Sequence, residues 1–107
     1  MSEDCYYKDQ RNMSKAQRNL TNYDHPAAMD HELMAQHIEA LSAGQSIERP
    51  IYSFYEHLRE SETIVMKPCK VLIVEGILLF TQERLRSLFN LRIFMDVPLD
   101  ICLIRRL

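Results

Sequence analysis

Glycine is almost missing from this chain: Gly44 and Gly76 are the only two among 107 residues. A phosphate-cradling loop of the form GxxxxGK[ST] needs two glycines and a lysine at fixed spacing, and no such loop is present. Tryptophan is absent. Cys5, Cys69 and Cys102 are odd in number, far apart and without a CxxC pair, which argues against a disulfide framework and a zinc site and suits a reducing cytoplasm. His25, His31, His37 and His57 show no metal-ligand spacing, and the first three read as solvated or packing residues. No apolar run approaches the ~18 residues of a membrane span, and Met1-Ser2-Glu3-Asp4 is unlike a signal peptide. Basic residues are not in excess: 13 Lys and Arg stand against 15 Asp and Glu. With no positive field to hold a nucleic-acid backbone or an anionic membrane, a small molecule is the better partner.

What is there is enough for a single core, 47% hydrophobic and 26% charged. Nucleotide-binding α/β domains are usually longer, so residues 1–107 are expected to form one partial domain. Ser14 reads as the N-cap of a helix to Leu20. Asn22-Tyr23-Asp24-His25-Pro26 is loop chemistry, since proline disfavours the α region for the residue before it. Asp30 then caps a helix to about Ser42 that buries Leu33, Met34, Ile38 and Leu41 and closes at Gly44. Ile51 to Phe54 and Thr63 to Met66 are short extended pieces either side of the charged stretch Glu56 to Glu62, a hairpin-like excursion. A strand over Val71 to Val74, a helix from about Gln82 to Phe89 with Thr81 as N-cap, a strand from Leu91 to Met95, and a helix with Pro98 at N1 complete the chain. Strands alternating with helices indicate an α/β fold with a parallel sheet.

Val71-Leu72-Ile73-Val74-Glu75-Gly76 is the most informative stretch. An apolar run suited to a doubly buried strand ends in a carboxylate, and open α/β sheets bind ligands just beyond the carboxyl ends of their strands. Three further blocks accompany it: Asp4-Cys5-Tyr6-Tyr7-Lys8-Asp9, the Asn22 to Pro26 loop, and Pro50-Ile51-Tyr52-Ser53-Phe54 with His57 and Arg59. In this order and spacing, ending at Val74-Glu75-Gly76-Ile77-Leu78, they resemble the uridine kinase (uridine-cytidine kinase) family over essentially the whole chain. The resemblance implies part of a P-loop kinase-type parallel sheet with flanking helices, without the phosphate-loop segment and the lid region.

It also implies a chemistry: transfer of the γ-phosphoryl of ATP, or GTP, to the 5′-hydroxyl of uridine or cytidine, with Mg2+. Such a transfer rests on positioning, charge neutralisation and a residue that takes the hydroxyl proton. By resemblance Asp4 is that catalytic carboxylate, Asp24 binds the ribose hydroxyls, and Tyr7, Tyr52, Phe54 and His57 line the nucleoside pocket. Glu75 is the acid near Mg2+, and Arg106 faces the transferred phosphate. Family members are homo-oligomeric. On the residues alone each of these has a plainer reading: Asp4 and Asp24 as turn formers, Tyr52 and Phe54 as strand packing, His57 as a surface histidine, Glu75 as a cap.

Ser53 departs from the family, which usually has Asp there, and the pocket is expected to be less selective as a result. The larger departure is architectural. In P-loop kinases the strand bearing the phosphate loop lies between those corresponding to Val71–Val74 and Leu91–Met95, so both are expected to face a gap, and the chain alone is expected to be marginally stable and without turnover. Two alternatives stay open. One is a related kinase of a small alcohol, such as phosphoribulokinase or pantothenate kinase, which would not carry the NYDHP and YxF…H blocks together. The other is a non-catalytic module that binds a nucleoside or docks on a full-length subunit.

Overall fold

Capping chemistry sets the helices. Ser14 and Gln17 form a reciprocal capping box at the start of α1 (Lys15–Asn19), each side chain accepting from the other's backbone N–H. Asp30 accepts from the Leu33 N–H at 3.1 Å and opens α2 (His31–Ser42), which closes at Gly44 with φ +82°. Both helices lie where the sequence places them. In α2 the inward stripe is His31, Met34, Ala35, Ile38 and Leu41, with Leu33 only half-buried.

The computed structural model describes residues 1–107, with four α-helices, a two-stranded antiparallel sheet and three single-turn 3-10 segments. The hairpin excursion is present and longer than expected: β1 (Ile47–Ser53) pairs with β2 (Leu58–Met66), and Arg49 lies opposite Ile64. The charged stretch belongs mostly to β2 and not to a connector. That strand buries none of its residues, whereas β1 buries Ile47, Pro50 and Tyr52, so charges cost little on β2. Phe54 falls in the turn beyond β1. The pairing slips between Pro50 and Tyr52, where proline has no N–H to give the ladder.

Three expectations are corrected in the second half. Neither Val71–Val74 nor Leu91–Met95 forms a strand: the first meets only the start of the chain, Met1 N donating to Ile73 O at 2.7 Å, which is too short a contact for a ladder, and Val71 and Ile73 are each 75% and Phe94 77% exposed. Thr81 does not cap the next helix, since its hydroxyl donates to Leu78 O at 2.6 Å and closes the 3-10 turn Leu79–Thr81. Gln82 caps α3 (Glu83–Leu88) instead, accepting from the Leu85 N–H. Pro98, with ψ 140°, lies just outside α4 (Leu99–Arg106). Ser2 and Glu75 form an isolated parallel bridge, with Glu75 N–H donating to Met1 O at 3.0 Å and Glu3 N–H to Glu75 O at 2.8 Å.

The core gathers where the turn Glu3–Tyr6, α2 and the α3 region meet, around Tyr6, Met29, Met34, Ala35, Ile38, Leu79 and Leu85. Arg84 clamps α3 to α2 through Glu32 and Glu39. No residue of α4 is buried. No helix is long and apolar enough to cross a membrane.

Candidate functional site

The Ser2–Glu75 bridge brings two chain segments out side by side, and each delivers a carboxylate at its end. Asp4 sits in the turn Glu3–Tyr6, directly after the bridge. Burial raises the Asp4 carboxyl above its ordinary value, and the neighbouring charges of Glu75 and Glu3 push the same way. Asp4 and Glu75 therefore lie close enough to repel.

From Tyr7 the ring cluster begins. Tyr7 packs on Tyr52 with centroids 5.0 Å apart and edge-on against Tyr23 at 5.3 Å. Tyr52 meets Phe54 at 5.4 Å. His57, held in the hairpin turn at φ 51°, stacks on Tyr23 with an interplanar angle of 16°. All four ring residues named from sequence are thus brought together. Tyr23, between Tyr7 and His57, has no role in the sequence reading. Its position next to Asp24 within the Asn22 to Pro26 block was the available signal, and the block's loop chemistry masked it. The Tyr23 hydroxyl donates to Arg18 O at 2.8 Å, which fixes the ring on the loop.

Tyr52 is 7% exposed, and burial, then its hydrogen bond with the Tyr23 side chain, raises its pKa. Tyr7 is also raised, by burial first and then by the charges of Asp4 and Asp24. Ser53, the departure from the family pattern, accepts from the Glu56 N–H at 3.3 Å and closes the turn that carries His57.

Asp24 and Arg106 meet as a two-pronged pair, Arg106 Nη2 to Oδ1 at 2.8 Å and Nη1 to Oδ2 at 2.9 Å. The Arg106 hydrogen bonds hold the Asp24 carboxyl below its ordinary value. Both oxygens of Asp24 are occupied by this guanidinium.

The site is an open face. The chain has two cavities, and neither is lined by Asp4, Tyr7, Asp24, Tyr52, Phe54, His57 or Arg106. Glu75 lines the larger, a groove of about 1370 Å3 between residues 69–77 and 88–95. No cluster of three or more His, Cys, Asp or Glu side chains is arranged to hold an ion. Asp4 and Glu75 are hard oxygen donors, and such a pair fits Mg2+ where phosphate oxygens and water complete the shell.

Fold and site together define an α/β protein with a ring-walled, acid-edged face. The sequence profile of the Phosphoribulokinase / Uridine kinase family matches residues 1–107, and the chain belongs to that family. It is 56% identical over 105 residues to a uridine kinase of Escherichia coli K12, covering 98% of this chain and 49% of that protein. Over 106 residues it is 55% identical to a uridine kinase of Vibrio cholerae, and over all 107 it is 56% identical to one of Shewanella amazonensis. The chain spans about half the length of the curated relatives it matches.

Proposed function

We propose that this chain carries the nucleoside-binding face of a uridine kinase, the part that receives uridine or cytidine and prepares its 5′-hydroxyl for a phosphoryl group from ATP or GTP. The run of rings His57, Tyr23, Tyr7, Tyr52 and Phe54, each packed on the next, is the observation that carries this reading. A pyrimidine base brings a flat face for the rings. Sugar phosphates bring no such face, which favours a nucleoside over the ribulose phosphate that the other half of the family name suggests.

Asp4 accepts a hydrogen bond from the 5′-hydroxyl and takes its proton as the oxygen attacks phosphorus, a role served by its raised carboxyl. Asp24 accepts from the two ribose hydroxyls once Arg106 lets go, and Arg106 is then free to turn to the phosphate. Glu75, with Asp4 near it, would hold Mg2+, which would supply charge neutralisation on the phosphate oxygens. No residues among the 107 fit the triphosphate in the manner of GxxxxGK[ST], so no turnover is expected from this polypeptide by itself. The parallel bridge at Ser2 and Glu75 supports a parallel sheet of P-loop kinase type, in which a neighbouring strand fills the groove beside residues 71–75.

Calorimetric titration with uridine tests the reading. Phe54 is 61% exposed, so Phe54→Ala leaves the fold its stability while uridine affinity falls by about fivefold, the worth of one aromatic contact. A Phe54→Ala chain that binds uridine as tightly as the parent contradicts it.

A further inference from the structure

Glu3 stands immediately before Asp4, its side chain is 1% exposed, and the chemistry proposed above makes no use of it. Both of its oxygens are engaged. Oε1 lies 2.6 Å from His31 Nε2, and Oε2 accepts from the Leu78 N–H at 2.9 Å. Its backbone N–H donates to Glu75 O at 2.8 Å. His31, 5% exposed, is the first residue of α2. One side chain therefore touches the turn that carries Asp4, the segment that carries Glu75, and the start of the helix beneath both.

The approach is closest at Gly76. A Cβ added there would lie 2.2 Å from Glu3 Oε2 and 2.3 Å from Glu3 Cβ. One of the chain's two glycines is thus required by Glu3 crossing over it, and not by an unusual φ, since only Gly44 among the glycines takes a positive one. A carboxylate this enclosed has no free lone pair facing a ligand. Its geometry is that of a brace.

We infer that Glu3 and His31 form a positioning pair that fixes Asp4 relative to Glu75, so that Asp4 is aimed at the substrate hydroxyl. This rests on the nucleoside reading above and goes beyond it. Without the brace the turn Glu3–Tyr6 keeps its anchor through Tyr6 in the core, but the Asp4 side chain loses its setting.

The measurement is the ratio of affinities for uridine and 5′-deoxyuridine, which differ only in the hydroxyl that Asp4 receives. A purely structural role weakens both ligands together and leaves the ratio alone. The parent chain binds uridine about tenfold or more tightly than the deoxy analogue, as a hydrogen bond to a charged carboxylate requires. Glu3→Ala removes the brace, Gly76→Ala displaces it without changing any charge, and both bring the ratio to about one. Glu3→Gln keeps an acceptor for Leu78 and bridges to His31 by donating its amide N–H to Nε2 of the other ring tautomer, and restores the ratio. His31→Ala is a milder variant that leaves the Leu78 bond in place, and it lowers the ratio even where Glu3→Ala fails to fold. A folded Glu3→Ala, Gly76→Ala or His31→Ala chain with the parent's ratio overturns the inference while leaving the nucleoside reading intact. A parent ratio of one overturns both.

Discussion

At the residue scale, the site carries electrostatic strain that can be read out through stability. Asp4 has its carboxyl raised by burial, by Glu75 and by Glu3, so its ionised form is disfavoured in the folded chain. The folded state then holds the Asp4 proton to a higher pH than the unfolded state does. Between the ordinary and the raised value, stability falls as pH rises, and above the raised value the full penalty is present. Asp4→Asn is therefore expected to raise the melting temperature at neutral pH. The gain should vanish below the ordinary aspartate midpoint of about 3.9, where the parent is protonated in both states. Thermal melts of both chains across that range check it, and an Asp4→Asn chain no more stable at neutral pH contradicts it. His37 works in the opposite sense at the edge of the core. Burial lowers its imidazole, the Arg59 charge adds to this, and its Nδ1 lies 2.9 Å from the Tyr6 hydroxyl, which suits a neutral ring.

Single residues were legible in the sequence to the extent that their chemistry is local. Ser14 and Asp30 were readable as caps because a cap needs only its own helix. Glu3 was not, because its meaning lies in Leu78 and His31, 75 and 28 positions away. Arg106 was assigned to a phosphate and is found holding Asp24, a partner 82 residues distant.

At the scale of elements, α2 carries the most weight. Asp30 caps it, receives the Arg59 side chain at 3.4 Å, and donates its own N–H to Tyr6 O at 2.7 Å. Asp30→Ala is expected to cost about 1 kcal/mol through the lost cap, with Arg59 released from the site's edge. Urea denaturation measures the loss, and a change of only a few tenths would show that the cap is redundant. The hairpin was legible from its alternation, and its turn was not, since Ser53, Glu56 and His57 form it through side-chain bonds and a positive φ. Val71–Val74 and Leu91–Met95 have strand composition without strand structure. Composition states what a segment can pair as, and only a neighbour decides whether it does.

At the scale of the whole molecule, the apolar balance is unusual. Only 15 of 107 residues are buried, while Ile73, Ile77, Leu91, Ile93, Phe94 and Met95 all stand largely in water along the walls of the groove. A patch of that kind is larger than a soluble monomer ordinarily leaves open. The isolated chain is expected to bind a hydrophobic dye strongly and to lose solubility as its concentration rises. Dye fluorescence and sedimentation test this, and a dye-silent, freely soluble monomer would contradict it. The α/β class was readable, although the strands at Val71–Val74 and Leu91–Met95 from which it was read are not formed and the sheet lies in the hairpin alone. The extent of the sheet was not, because its ladder depends on a partner strand that no local pattern supplies.

The central claim is that Asp4, Asp24 and the rings around Tyr23 face one nucleoside. It is tested most directly by proton NMR of the chain saturated with uridine, reading through-space contacts from the ligand. Uracil protons should contact the rings of Tyr7, Tyr52 and Phe54 while the ribose protons contact the Asp24 methylene. Contacts that fall instead on the groove between residues 71–77 and 88–95, or an absence of contacts at saturation, would contradict the claim.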